Sequence, residues 1–306
     1  YIVIANLLQA IVTLAFLYKE VLAIRFKVDL KLWQQIMGYS MPLIIVGMGG
    51  VINETLDRIM LKWWVPGTEG FKEEQVAVYS ACYKLSILIT LFVQAFKMGA
   101  EPFFFKQAGS ENPQRIYARV MKFFVIVISI MFLVVSLYLP IWKYFIAEKL
   151  WGGLAVVPIL LLANMFLGIY YNLSIWYKLG HKTTAGAYIT LTGAAITIII
   201  NYYFIPHFSY MACAWATFFC YGSMMVFSFV WGQKEYKVPY AWKKLVAYIV
   251  IAVLLFFIDK GITSFISNRI ISLSVGTVIL ATYMWFIAQV EKKELAKLPF
   301  AGKYFK

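Results

Sequence analysis

Residues 38–64 read GYSMPLIIVGMGGVINETLDRIMLKWW. The run is long enough to cross a bilayer, for which an α-helix needs about 20 mainly apolar residues. Yet Asn53, Glu54, Asp57 and Arg58 fall within six residues of one another inside it. Ionisable side chains in hydrocarbon are costly, so they face a bundle interior, a partner or a water-filled path. Positions 54 and 58 share a helix face, and 54 and 57 nearly do. Two compatible readings follow. Glu54 and Arg58 pair and tie the helix to itself, or members of the group line a polar route through the protein.

The rest of the chain has the composition that such a helix needs around it. Of 306 residues, 62% are hydrophobic and 14% charged. Soluble domains are closer to about 45–50% apolar and about 25% charged. A soluble core would leave large apolar patches exposed. The expected class is therefore an all-α, polytopic membrane helix bundle. Nine candidate spans fall at 1–24, 38–64, 75–102, 122–146, 154–177, 184–205, 209–230, 244–259 and 269–290. Residues 25–37 form a basic linker at the membrane surface, and Pro42 is expected in the first turns of the helix that opens at Gly38. Tyr1 already lies in an apolar run, with no basic leader before it and no small-residue cleavage pattern after it. It does not read as a signal peptide, and the chain is expected to be a piece of a longer protein.

Charge orients the spans. Residues 25–37, 103–122, 178–182, 231–244 and 291–306 together carry +13, whereas 62–75, 143–149, 205–210 and 259–269 together carry +1. This alternation obeys the positive-inside rule and places Tyr1 outside and Lys306 in the cytoplasm. The net charge of +14 is then topology plus attraction to anionic lipid heads. It does not indicate nucleic acid, since the basic residues are divided among five loops.

Lys84 and Lys97, thirteen residues apart on the next span, are expected on one face. Lys97 sits near the cytoplasmic end, where a lysine can snorkel. Lys84 is deeper, either as a neutralising partner of Glu54 and Asp57 or as part of a cationic cavity. Glu101 reads as an interfacial carboxylate, and Tyr79 and Tyr83, one turn apart, as packing residues. Asn164, Asn172 and Ser174 are polar points that can bridge helices. Cys82, Cys213 and Cys220 have neither metal-ligand spacing nor a disulfide framework and read as buried apolar side chains. No phosphate-binding G-x-x-x-x-G-K-[ST], H-E-x-x-H or G-x-S-x-G occurs, and no long catalytic loop. The expectation is a protein that is not an enzyme and has no cofactor or metal centre.

Tyr39–Pro42 (YSMP), Asn53, and Asp57–Arg58 followed by IML resemble the start of the second lobe of polysaccharide-type flippases. These belong to the multidrug/oligosaccharidyl-lipid/polysaccharide exporter superfamily. VAVYSACYKLS at 76–86 and FKMGAEPFFFKQA at 96–108 are similar to the following part of that lobe. The resemblance implies fourteen helices in two lobes, of which this chain would hold the sixth to the fourteenth. Residues 1–24 would be the last helix of the first lobe, 25–37 a linker, 38–290 the second lobe of eight helices, and 291–306 a basic cytoplasmic tail. The last two spans would be those that form a groove for an isoprenoid tail in related flippases. The implied function is flipping an isoprenoid-linked oligosaccharide across the cytoplasmic membrane by alternating access. Arg58, Lys84, Lys97 and Asn53 would line the substrate path, and Glu54 and Asp57 would pair charges or couple an ion. Implied partners are the lipid-linked substrate, membrane lipids, the first lobe and polysaccharide assembly proteins. A cation-coupled multidrug exporter and a non-transporting scaffold of an assembly complex are the alternatives.

Overall fold

The computed structural model describes residues 2–23, 29–266 and 268–296. Residues 24–28 of the expected linker and 297–306 of the expected tail lie outside the described residues. Among the described residues every regular element is helical: α1 (Ile2–Phe16), α2 (Tyr18–Leu22), α3 (Leu30–Trp64), α4 (Glu69–Gln107), α5 (Pro113–Leu137), α6 (Leu139–Trp142), α7 (Val156–Leu173), α8 (Ile175–Leu179), α9 (Thr183–Phe208), α10 (Tyr210–Glu235), α11 (Trp242–Thr263), α12 (Arg269–Val290) and α13 (Lys292–Leu295). Eight of these helical stretches are long and apolar enough to cross a membrane, and the chain is a multi-pass membrane protein. The expected first span is shorter than the others, its apolar helix running only from Val3 to Phe16.

Helix ends account for most departures from the sequence reading. Asp29 Oδ1 accepts from the N–H groups of Lys31 (2.9 Å) and Leu32 (3.1 Å), the pairing of an N-cap. It starts α3 at Leu30, so residues 30–37 of the expected linker are helical and Pro42 lies in the helix interior. Thr68 caps α4, accepting from Phe71 N–H. That helix therefore begins at Glu69 and runs 39 residues, with Pro102 inside it. At 1.5 Å per residue it is ~58 Å long, well beyond the ~30 Å of hydrocarbon. Pro113 opens α5 in its first turn, where the missing N–H costs nothing. The expected span at 122–146 thus moves to 113–137, and residues 138–153 form short helical turns.

The chain divides into two units, 1–41 and 42–306. The first holds α1, α2 and the opening of α3, and most of its described apolar side chains are exposed. In the second, α4, α7 and α10 form the centre, α9 packs on α10, and α5 links the centre to the α11–α12 pair. The core includes Leu61, Tyr79, Ile89, Phe124, Phe132, Leu160, Leu161 and Tyr248, all nearly inaccessible.

In α3 the buried positions are Gly49, Asn53, Asp57, Met60 and Leu61, whereas Ile44, Ile45, Met48, Val51, Ile52 and Ile59 are exposed. The helix therefore turns its polar and small stripe inward. In lipid no hydrophobic force favours burying Ile over leaving it in hydrocarbon, so small residues and hydrogen-bonding groups take the interface. The inner stripe of α9 obeys the same rule, with Thr183, Gly186, Thr190, Gly193, Thr197 and Asn201 buried at spacings of three and four.

Around α11 and α12 the joint is ionic. Glu291, just past α12, is 3% exposed. It accepts from Lys122 of α5 at 2.7 Å and from Tyr248 Oη of α11 at 2.6 Å, with Lys244 at 3.6 Å. Arg119 and Glu294 pair beside it at 3.1 Å. Burial alone would raise the Glu291 carboxyl, but its bonds to Lys122 and Tyr248 and the two lysine charges outweigh that and hold it below the usual range.

Candidate functional site

Asp57 is the polar centre of the second unit. It is 2% exposed, and its carboxylate is held from three other helices. Asn201 Nδ2 of α9 donates to Oδ1 at 2.7 Å. Tyr79 Oη of α4 donates to Oδ2 at 2.9 Å. Thr217 Oγ1 of α10 lies 2.8 Å from Oδ2 and 2.9 Å from the Cys213 carbonyl, its one proton serving either acceptor. Cys213 Sγ in turn faces the Asp57 carbonyl at 3.7 Å. One carboxylate thus joins α3, α4, α9 and α10.

The network is incomplete in one direction. Asn53, one turn before Asp57 on the same face, is 3% exposed. Neither of its amide atoms has a protein partner, and neither does Asn201 Oδ1. A buried polar atom left unpaired costs about 1–3 kcal/mol. Among the described residues no cluster of three His, Cys, Asp or Glu exists, so the donor set here is one carboxylate plus neutral oxygens.

Beside this hub lies a half-exposed face of cations over tyrosine rings. The Arg58 guanidinium stands 4.7 Å from the Tyr83 ring and 6.0 Å from that of Tyr79. It donates to Ser80 Oγ at 3.3 Å and to the Glu54 backbone carbonyl. Lys97 Nζ stands 4.5 Å from the Tyr171 ring of α7, and one turn on Glu101 pairs with Lys178. A cation held over a tyrosine face gains about 0.5–1 kcal/mol when exposed, up to about 2 when desolvated. The rings hold the two charges in position.

A family profile described as a polysaccharide biosynthesis protein matches residues 1–108, and the MatE family profile matches residues 65–203. Both profiles are of the multidrug/oligosaccharidyl-lipid/polysaccharide exporter superfamily, and together they span residues 1–203. No curated protein and no solved structure matches it. The two matches overlap on the whole of α4, the helix that carries Tyr79, Tyr83 and Lys97.

The residues singled out from the sequence divide into three groups. Asn53 and Asp57 share the buried face of α3, Asp57 bonded into the hub and Asn53 beside it without a bond to it. Arg58 and Lys97 lie on the cation–tyrosine face, with Glu54 exposed next to Arg58. The expected Glu54–Arg58 ion pair does not form, because Arg58 reaches the Glu54 main-chain oxygen instead. Lys84 joins neither group. Thirteen residues at 100° each amount to 220° around the helix, so Lys84 and Lys97 occupy opposite sides of α4. Lys84 is exposed, flanked by buried Tyr83 and Leu85.

Asn201, Thr217 and Tyr79 are the hub residues that sequence reasoning missed. Asn201 carried a signal, a lone amide in the apolar run ITIIINYYF. Thr217 had none beyond its type, and Tyr79 was assigned to packing. It does pack, with its ring 5.9 Å from that of Tyr83, but its hydroxyl serves Asp57. The remaining polar points are structural. Asn164 donates to the Leu160 carbonyl at 2.9 Å within α7 and reaches Ser86 Oγ of α4 at 3.5 Å, while Asn172 donates to the Gly168 carbonyl at 3.2 Å. All three cysteines are buried and free.

Proposed function

We propose that this exporter flips an isoprenoid-linked oligosaccharide across the cytoplasmic membrane, its basic loops and C-terminal end facing the cytoplasm. The observation that carries the reading is the pair of cation-over-tyrosine contacts, Arg58 on Tyr83 and Lys97 on Tyr171. The head of such a substrate joins a pyrophosphate to sugars. The two cations attract the first, and the rings that hold them fix where it sits. A path for organic cations would call for carboxylates in these places. The match of the polysaccharide profile over α3 and α4 supports the same choice.

Asp57 is the coupling group in this proposal. Its carboxylate, with Asn53, Asn201 and Thr217 oxygens around it, suits a proton or a small hard monovalent cation, which prefers oxygen donors. Taking up that charge neutralises Asp57 and changes which of its three hydrogen bonds persist. Four helices meet at this group, so the change biases their packing, as alternating access requires. Glu54, exposed beside Arg58, tunes the charge of the path rather than the coupling.

Arg58→Gln and Lys97→Gln test the path, and Asp57→Asn tests the coupling. The assay is restoration of surface polysaccharide in cells lacking the native flippase, with membrane protein level measured in parallel. The expected result is loss of polysaccharide at normal protein level for all three. Full restoration by the Arg58→Gln/Lys97→Gln double variant removes the substrate path. Export of organic cations, abolished by Asp57→Asn and indifferent to Arg58→Gln, would establish the multidrug reading instead.

A further inference from the structure

On α7 the groove-lining side chains Phe166, Ile169 and Leu173 lie about 140–160° around the helix from Tyr171, at 100° per residue. They face away from the cation–tyrosine surface. There they form one wall of a groove of about 410 Å³ between α5, α7, α10 and α11, within the range of about 300–1,000 Å³ of small-ligand sites. Its walls are apolar throughout, with Val125 of α5, Phe229 of α10 and Ile249 of α11 opposite α7. The expected groove between α11 and α12 is not this one, since α12 supplies none of its wall.

The groove's dimensions say what fits. On α11 it runs from Trp242 to Val250, eight helical steps or ~12 Å. That is less than half of the ~30 Å hydrocarbon thickness, the depth of a single leaflet. One end is framed by Tyr240 and Trp242, aromatic residues of the kind that sit at headgroup level. Lys237 and Lys243 flank them, both exposed, with Lys243 Nζ 5.8 Å from the Trp242 ring. Among the described residues neither lysine has a carboxylate within ion-pair distance. The neighbouring cations differ, because Arg119, Lys122 and Lys244 are held by Glu294 and Glu291. The mouth therefore presents two uncompensated positive charges above an apolar slot.

We infer that the groove binds one acyl chain of an anionic glycerophospholipid from the same leaflet, its phosphate lying against Lys237 and Lys243. A slot one leaflet deep suits an acyl chain better than the longer isoprenoid tail, and it opens away from the face assigned to the transported head. The chain itself gains little by leaving bulk lipid, since both surroundings are hydrocarbon. Selectivity therefore resides in the two lysines. Each basic side chain near an anionic surface contributes about 1 kcal/mol, about fivefold in occupancy.

The test uses the whole protein in phosphatidylcholine vesicles to which brominated phosphatidylglycerol or brominated phosphatidylcholine is added. Quenching of Trp242 is read as the difference between the native protein and its Trp242→Phe variant. The expected result is half-quenching at a mole fraction of phosphatidylglycerol at least fivefold lower than of phosphatidylcholine. Lys237→Gln/Lys243→Gln should bring the two lipids to within about twofold while helicity and quenching by phosphatidylcholine stay unchanged. Val246→Phe, which fills the slot, should weaken quenching by both. Equal quenching by the two lipids, or a preference that survives loss of both lysines, overturns the inference. So does displacement of the brominated phospholipid by stoichiometric polyprenyl phosphate, which would make the slot a substrate-tail site.

Discussion

Gly49 and Thr190 set the distance between α3 and α9, and replacing the glycine should be costly in a way that one further substitution reverses. A Cβ at Gly49 would stand 2.5 Å from Thr190 Cγ2 and 3.6 Å from Thr190 Cβ, with no other atom within 4 Å. Only the first contact is impossible. Overpacking of this kind costs about 1–3 kcal/mol. Rotating Thr190 to escape would pull Oγ1 from the Gly186 carbonyl at 3.0 Å and from Tyr170 Oη at 3.3 Å. Hydrogen bonds between membrane helices average about 0.6 kcal/mol each, so that escape costs a comparable amount. Thr190→Ser removes Cγ2 and keeps the hydroxyl, and it should cost under about 1 kcal/mol. The double variant should then be no less stable than Thr190→Ser alone, giving a favourable coupling of about 1–2 kcal/mol. Reversible unfolding of the whole protein in mixed micelles measures each corner of the cycle. Additive single effects would refute the reasoning, because they would mean that Thr190 is not what Gly49 is spacing. The functional consequence lies two turns further along α3, where Asp57 meets Asn201. Gly49→Ala should also lower transport, and Thr190→Ser should restore it.

Three further outcomes follow from the geometry. Tyr79→Phe, Thr217→Val and Asn201→Leu each remove one partner of Asp57 and should cost about 0.6 kcal/mol on average, at most about 1.7. In unfolding measurements all three should become smaller in Asp57→Leu; undiminished costs would separate them from the carboxylate. Glu291→Gln should cost about 1.5–3 kcal/mol at neutral pH, the worth of a hydrogen bond to a charged group. Its folded pKa lies below the ordinary value of 4.5, so the carboxylate's contribution is complete above about pH 4.5 and is lost as pH falls through the lowered value. Native and variant stabilities should converge in acid, and a gap as wide at pH 3 as at pH 7 would refute the assignment. Arg58→Gln and Lys97→Gln together should impair flipping more than Lys84→Gln, which lies on the other side of α4; a transport assay ranking Lys84 first would reverse the face chosen for the path.

Much of this protein was legible before any coordinates. Long apolar runs can satisfy their backbone in lipid only as helices, so composition and run length determined the class and nearly all the spans. Helix boundaries were less legible. Asp29 and Thr68 are ordinary caps, but they sit beyond the apolar runs, so α3 and α4 begin before the hydrophobicity does. The cluster Asn53–Arg58 drew attention to α3 because charge in a span is costly, and α3 does carry the buried Asp57. What the sequence by itself could not determine was which of those groups is buried and by what. In water, periodicity of apolar residues points to the core. In lipid, apolar side chains are equally at ease on either side, and α3 exposes its isoleucines while burying Asn53 and Asp57. Only the tertiary structure brings Asn201, 144 positions away, and Thr217, 160 positions away, to one carboxylate, because short polar side chains announce no partner until helices pack. The same packing put Lys84 and Lys97 on opposite sides of one helix and left Lys237 and Lys243 above an apolar slot that no run of residues describes.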